Sequence, residues 1–120
     1  MKAVLAFILC LMASCTCVQS NSRSNLVGEW RYADDIQSGH YVFEADGTFK
    51  SEVIFHQKLI SKSIGRWAVK GHSLHYTYIK DELGQIPAGA TDRDLLLRVE
   101  RDFFVIQAGD GKKRKYLRMR

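Results

Sequence analysis

The sequence predicts an all-β fold, a small antiparallel up-and-down barrel of seven to eight short strands. Three observations point there. From Asn25 onward, apolar residues recur at every second position, the period of a half-buried strand, and helical periodicity is hard to find. Turn-forming pairs such as Asp46-Gly47, Lys70-Gly71 and Asp110-Gly111 break the chain at short intervals. The single proline, Pro87, falls in the longest stretch without a strand pattern, 81–92, which cannot form a central strand.

With 120 residues there is room for one domain, and the N-terminus takes part of it. Met1-Lys2 gives a positive start, and Ala3 to Ala13 is an uncharged apolar run. That is a signal-peptide core, too short to span a bilayer as a helix. Two cleavage readings stand. Leu11-Met12-Ala13-Ser14-Cys15 resembles a bacterial lipobox, whose cysteine is lipidated on its thiol and becomes the new N-terminus; Met12 departs from the usual branched aliphatic. The alternative is ordinary cleavage after Val18-Gln19-Ser20. Thr16 to Ser24 is polar and rich in Ser and Asn, as a flexible tether should be. The expected organisation is a signal peptide over 1–14 (or to 20), a lipid anchor at Cys15, a tether over 15–24 and a barrel over 25–120. Thr16 rather than Asp after the cysteine resembles outer-membrane sorting. The expected location is the cell envelope, on the outer membrane facing the periplasm, with a soluble periplasmic or secreted protein as the alternative.

The three cysteines, Cys10, Cys15 and Cys17, all precede Val18. The domain therefore has no internal disulfide and no thiolate metal site. Net charge is +5, with the excess crowded into Lys112-Lys113-Arg114-Lys115, Arg118 and Arg120. Such a run reads as a charged edge strand or as an attraction to anionic lipid. Nucleic acid is disfavoured, because export removes that partner.

Taken in order, Leu26 to Ala33 is the first strand, and Asp34-Asp35 to Ser38-Gly39 a turn-rich loop. His40 to Ala45 alternates with Tyr41 and Phe43 on one face. At Asp46-Gly47 a three-residue bulged loop sets Phe43 opposite Phe49 and keeps both on the buried face. Thr48 to Phe55 then points Phe49, Ser51, Val53 and Phe55 inward. His56 to Lys62 is irregular, a strand continuation or a wide connection, and Ser63 to Val69 carries Gly65-Arg66-Trp67. A four-residue loop ending at His72 sets Trp67 opposite Leu74, and Ser73 to Lys80 places Leu74, Tyr76 and Tyr78 together. Arg93 to Glu100 and Phe103 to Ala108 form a hairpin through Arg101-Asp102, with Leu95, Leu97 and Val99 on one side. Ala108-Gly109-Asp110-Gly111 leads into a last strand, Lys112 to Met119.

Catalytic and metal patterns are weak. His72 and His75 are three apart, and on a strand odd separations face opposite sides, so they cannot chelate one ion. His40 and His56 have no partners at ligand spacing. Asp34-Asp35 and Asp81-Glu82 are adjacent acids without a nucleophile motif, a phosphate loop or a zinc-protease helix beside them. The expectation is no cofactor, no metal and no enzyme.

Gly28-Glu29-Trp30, Phe43-Glu44-Ala45-Asp46-Gly47-Thr48-Phe49, Gly65-Arg66-Trp67, the hairpin into Leu74 and Lys115-Tyr116-Leu117-Arg118 occur in an order that resembles the small bacterial lipocalin-like domains. The likeness covers roughly Leu26 to Arg118. It implies a barrel whose closed end is capped by Trp30, next to Gly28, with Arg118 across the ring; the alternative is a plain core tryptophan and a solvated arginine. It implies a small apolar ligand in the open end, with Phe49, Tyr76 and Tyr78 as wall candidates. The chain ends at Arg120, with no room for the helix that follows a full lipocalin barrel, and strands of about six residues reach only ~20 Å. Phe43, Phe49, Phe55, Trp67, Tyr76, Phe103 and Phe104 could fill most of such an interior. A filled barrel acting through its surface, as an envelope interaction or inhibitor protein with residues 81–92 as contact element, is the second expectation.

Overall fold

Short turns leave each strand one neighbour within easy reach, the next strand in the chain. The computed structural model, which describes residues 22–120, pairs them that way. Eight strands follow: β1 (Gly28–Ala33), β2 (Gln37–Phe43), β3 (Thr48–Phe55), β4 (Lys58–Lys70), β5 (Ser73–Asp81), β6 (Thr91–Val99), β7 (Phe103–Gln107) and β8 (Lys113–Arg118). All neighbours are antiparallel, and β1 also pairs with β8 through Trp30↔Arg118 and Arg31↔Leu117, which closes the barrel. The signal-peptide and Cys15 readings lie outside the described residues.

Closure is local at the basic run. β8 pairs with β7 from Lys113 to Leu117 but with β1 only at Leu117 and Arg118, so Lys113 to Lys115 have a strand partner on one side, as the charged-edge reading expects. Lys113 and Lys115 face solvent, whereas Arg114 and Arg118 alternate with buried Tyr116 on the inner face.

The Asp46-Gly47 turn has the bulged form. Phe43 pairs with Phe49, Gly47 takes φ +91°, and the Thr48 N–H donates to Asp46 Oδ1 at 3.0 Å. Elsewhere local geometry departs from the simple alternation. β2 starts at Gln37 rather than His40, and within it Gly39 lies against the Tyr32 ring, where a Cβ would collide. The irregular segment after Phe55 is strand from Lys58 onward. It is reached by a two-residue turn in which His56 and Gln57 take φ of 48° and 66°, values usually left to Gly or Asn. Trp67 faces Tyr76, not Leu74, because Gly71 takes φ +60° and the connection to β5 needs only Gly71-His72. A bulge between Leu96 and Arg98 breaks the parity of β6. Leu96 and Val99 pack against the core, while Leu95 and Leu97 are each 42% exposed. Residues 22–26 form a helical turn, so Leu26 is not in β1, and 22–24, read as tether, belong to the folded unit.

The core is aromatic. Trp30, Phe43, Phe49 and Phe104 are at most 1% exposed, joined by Trp67, Tyr76 and Tyr116. Phe104 stacks on Tyr116 with centroids 4.4 Å apart, and Trp30 meets Phe104 edge-on at 4.7 Å. Rings of this size each bury roughly 150–250 Å², so a few of them account for much of the apolar burial. Phe55 and Phe103 do not take part. Phe55 is 38% exposed near a hairpin tip, and Phe103 lies on the outer face under Lys115 and Arg98.

Candidate functional site

The two ends of the barrel are built for different purposes. At one end the helical turn over 22–26 lies across the strands, with Leu26 fully buried. The Trp30 indole N–H donates to the Leu26 carbonyl at 2.8 Å. The Arg118 guanidinium sits 4.2 Å from the Trp30 ring centroid, a cation–π contact of about 0.5–2 kcal/mol. Its nitrogens donate to three carbonyls, of Arg101, Val27 and Asn25, and so tie the N-terminal segment to the β6–β7 turn. A Cβ on Gly28 would run into that guanidinium, which is why the residue two before the tryptophan is glycine. Arg23 adds a second lid, 4.9 Å from the Trp67 ring and hydrogen-bonded to the Ala45 carbonyl.

The opposite end is open. Tyr41 lies across the barrel as a floor, 5.7 Å from the Tyr116 ring and 6.1 Å from that of Tyr76. Beside it is a cavity of about 600 Å³ lined by Val53, Leu59, Leu83 and Ile86 with the polar atoms of Ser51, Ser61 and Tyr78. Apolar walls with a few fixed polar groups are the usual make-up of a small-molecule site.

One wall is the loop over 82–90, whose ends are tied by backbone bonds from Glu82 to Lys62 and from Gly89 to Tyr78, and whose middle is held by the Asp81 carboxylate. Asp81 Oδ1 accepts from the Lys62 N–H at 2.8 Å and from the Ser63 and Ser61 hydroxyls at 3.2 and 3.3 Å. Oδ2 accepts from the N–H groups of Gln85 and Ile86 at 2.8 and 3.2 Å. Burial pulls the Asp81 carboxyl upward, but these donors outweigh it and hold it below the usual carboxylate value. A depressed acid contributes stability that is present above its unfolded value, near 3.8, and lost as pH falls through the folded one. Asp81→Ala should therefore free the loop at neutral pH, with amide exchange at Gln85 and Ile86 faster by roughly 10–100-fold. The wild type should show the same loosening only below about pH 4. Unchanged exchange in the variant would refute the anchor.

Across the mouth from Asp81 is a second polar corner. The Tyr76 hydroxyl donates to Asp94 Oδ2 at 3.3 Å, and Gln37 Nε2 donates to the Tyr32 hydroxyl. Burial, with Asp92 nearby, pushes the Asp94 carboxyl up to about 6. Burial, then Asp92 and Asp94, pushes the Tyr78 hydroxyl up to about 12. On the outer face a further concavity of about 410 Å³ lies among Val42, Lys50, Lys62, Ile64 and Lys80. Lys62 there is already shared by Glu52 and Glu82 at 4.0 and 3.8 Å.

A crystal structure of a lipocalin-like protein from Bacteroides uniformis superposes on this chain with a TM-score of 0.57. The match covers 79% of this chain and 99% of the other, at 16% identity. The fold is lipocalin-like. No family model and no curated protein matches the sequence.

In this lipocalin-like barrel Gly28, Trp30 and Arg118 meet at the closed end. Of the three wall candidates, only Tyr78 reaches the cavity. Phe49 and Tyr76 are 1% and 3% exposed and pack edge-to-face at 5.4 Å within the filled interior. From the sequence, Tyr41 and Ser51 read only as inward-facing residues, Asp81 only as an acid beside Glu82 and Arg114 only as part of the basic run, and Asp94 carried no signal. For Arg114 a signal existed, because it shares a strand face with Tyr116 and Arg118. His40 lies 3.4 Å from Glu29 on the outer face, and His72 is in a turn. Among the described residues no group of three His, Cys, Asp or Glu is arranged to hold a metal ion.

Proposed function

We propose that this chain is an exported, lipid-anchored lipocalin-like protein that holds a small, mostly apolar ligand in its open end. The observation that carries the reading is the cavity of about 600 Å³ at the mouth, set over a floor of packed tyrosines. Its shape needs no metal and no reacting group. The mouth's acids are engaged structurally, Asp81 by backbone amides and Asp94 by Tyr76, which suits binding better than catalysis.

Filling the cavity tests this. Val53→Trp places a large ring among the lining residues without touching the closed end. It should weaken binding of a fluorescent apolar probe such as 1-anilinonaphthalene-8-sulfonate by about tenfold or more, and leave thermal unfolding within a few degrees. Probe binding that is unchanged in the plugged variant would remove the mouth from the proposal.

The anchor reading rests on the lipobox-like Leu11-Met12-Ala13-Ser14-Cys15. A lipid at Cys15 leaves seven residues to Ser22, a reach of at most about 25 Å. Since residues 22–26 lie at the closed end, that end would sit toward the membrane and the mouth away from it. Cys15→Ser should abolish incorporation of a labelled fatty acid and move the protein out of the membrane fraction; labelling that persists in the variant would contradict the anchor.

One observation favours the second reading, of a protein that works through its surface. Ile54, Phe55, Leu59 and Ile60, each 37–38% exposed, cluster about the β3–β4 hairpin tip beside the mouth. Leu59 and Ile60 also line the cavity, whereas Ile54 and Phe55 do not, so Phe55→Asp should abolish a partner docking there and leave probe binding unchanged, which separates the two.

A further inference from the structure

We infer that the polar corner of the mouth, formed by Arg114 with Tyr32, Asp94 and Tyr76, takes the acidic head of an amphipathic ligand whose apolar body lies in the adjoining cavity. The inference rests on the mouth being the binding site, and it adds the chemical class of the ligand.

Arg114 is on the inner face of β8, and its guanidinium lies 5.4 Å from the Tyr32 ring centroid, which fixes its plane. Its Nε is the one buried side-chain nitrogen or oxygen among the described residues without a hydrogen-bond partner. No described carboxylate lies within ion-pair distance of it. Arg114 itself is half-buried, and a buried Nε–H left without an acceptor is costly, because it can only donate. The group that complements it is an oxygen anion, which can accept two parallel N–H bonds from the planar fork.

The neighbouring acid does not fill that role. Asp94 lies near enough to feel the Arg114 charge, but it forms no ion pair with it, and its Oδ2 accepts from the Tyr76 hydroxyl instead. An amine would meet the guanidinium as a like charge. The corner and the cavity adjoin through two tyrosines: Tyr78 lines the cavity and stacks at 6.5 Å on Tyr76, whose hydroxyl is bonded to Asp94. A ligand with its chain among Val53, Leu59 and Ile86 could therefore lay its head toward Arg114.

The test compares three probes of one chain length on the purified protein, decanoate, 1-decanol and decylamine, by calorimetry at pH 7.5. Decanoate should bind at least tenfold more tightly than decanol, and decylamine least. Arg114→Gln should weaken decanoate by about 10–100-fold and leave decanol within about twofold. Arg114→Lys, which keeps the charge and loses the fork, should fall between. If decanol binds as well as decanoate, or decylamine binds best, the acidic-head assignment is wrong while the mouth remains a binding site. If none of the three binds, the binding reading fails and the assignment fails with it. The wild-type comparison decides the matter even if an Arg114 variant does not fold.

Discussion

Trp30→Ala is expected to destabilise the protein by about 3–5 kcal/mol, the cost of removing a large buried aromatic. Trp30 is fully buried, meets Phe104 at 4.7 Å, donates to the Leu26 carbonyl and supports the Arg118 guanidinium. Its loss leaves a void, an unpaired carbonyl and a positive charge without its ring. The N-terminal turn over 22–26 should detach along with it, since Leu26 and the carbonyls of Asn25 and Val27 are held through this pair. For a domain of this size, each kcal/mol shifts the midpoint by roughly 4–8 °C, so thermal unfolding should move down by more than ten degrees. Phe55→Ala, at a 38% exposed position, is the matched control and should shift it little. A Trp30→Ala midpoint no lower than that of the control would dispose of the cap.

The second large effect comes from adding an atom. Gly65→Ala should cost roughly 3 kcal/mol, the upper part of the range for overpacking. A Cβ there would collide with the Thr77 carbonyl oxygen and approach Phe49 Cε1 within 2.7 Å. The carbonyl is backbone and cannot turn aside, and Phe49 is held between Tyr76 and Tyr78. The register shift at Ile64/Gly65 is where β4 bends to keep the barrel closed. Urea unfolding of Gly65→Ala beside Gly84→Ala measures this. Gly84 has open space around it but a φ of +69°, so its substitution carries only backbone strain, of order 1 kcal/mol. Equal midpoints for the two variants would contradict the close-approach account.

Both predictions concern the glycine-x-tryptophan pairs, and these were the most legible parts of the chain. A glycine two before a large ring, at the head of an alternating segment, signals a close approach. At Gly28 the approaching group is Arg118, and at Gly65 it is the Thr77 carbonyl together with Phe49. Strand parity also carried the fold, because a closed antiparallel barrel asks little more of a sequence than alternation and short turns. What parity could not show were the places where it breaks. The bulge at Leu96/Arg98 brought Val99 onto the inner face with Leu96, opposite Leu95 and Leu97, and the His56-Gln57 turn lacked the glycine that would have marked it. The mouth was least legible. Its cavity depends on where the 82–90 loop rests, and Asp81 settles that through backbone amides several residues away. Among the basic residues, Arg114 was hidden by charge composition, since a run of lysines and arginines reads as a solvated face until the face is resolved strand by strand.

The central claim is that binding takes place at the mouth and not at the capped end or on the outer wall. Amide chemical-shift mapping of isotope-labelled protein during titration with decanoate tests it most directly. The account predicts saturable shifts at Tyr41, Ser51, Val53, Tyr78 and Leu83 to Ile86, with the Trp30 and Trp67 indole signals unmoved. Saturable shifts centred on those two indoles, or on Lys50, Ile64 and Lys80 of the outer wall, would contradict it.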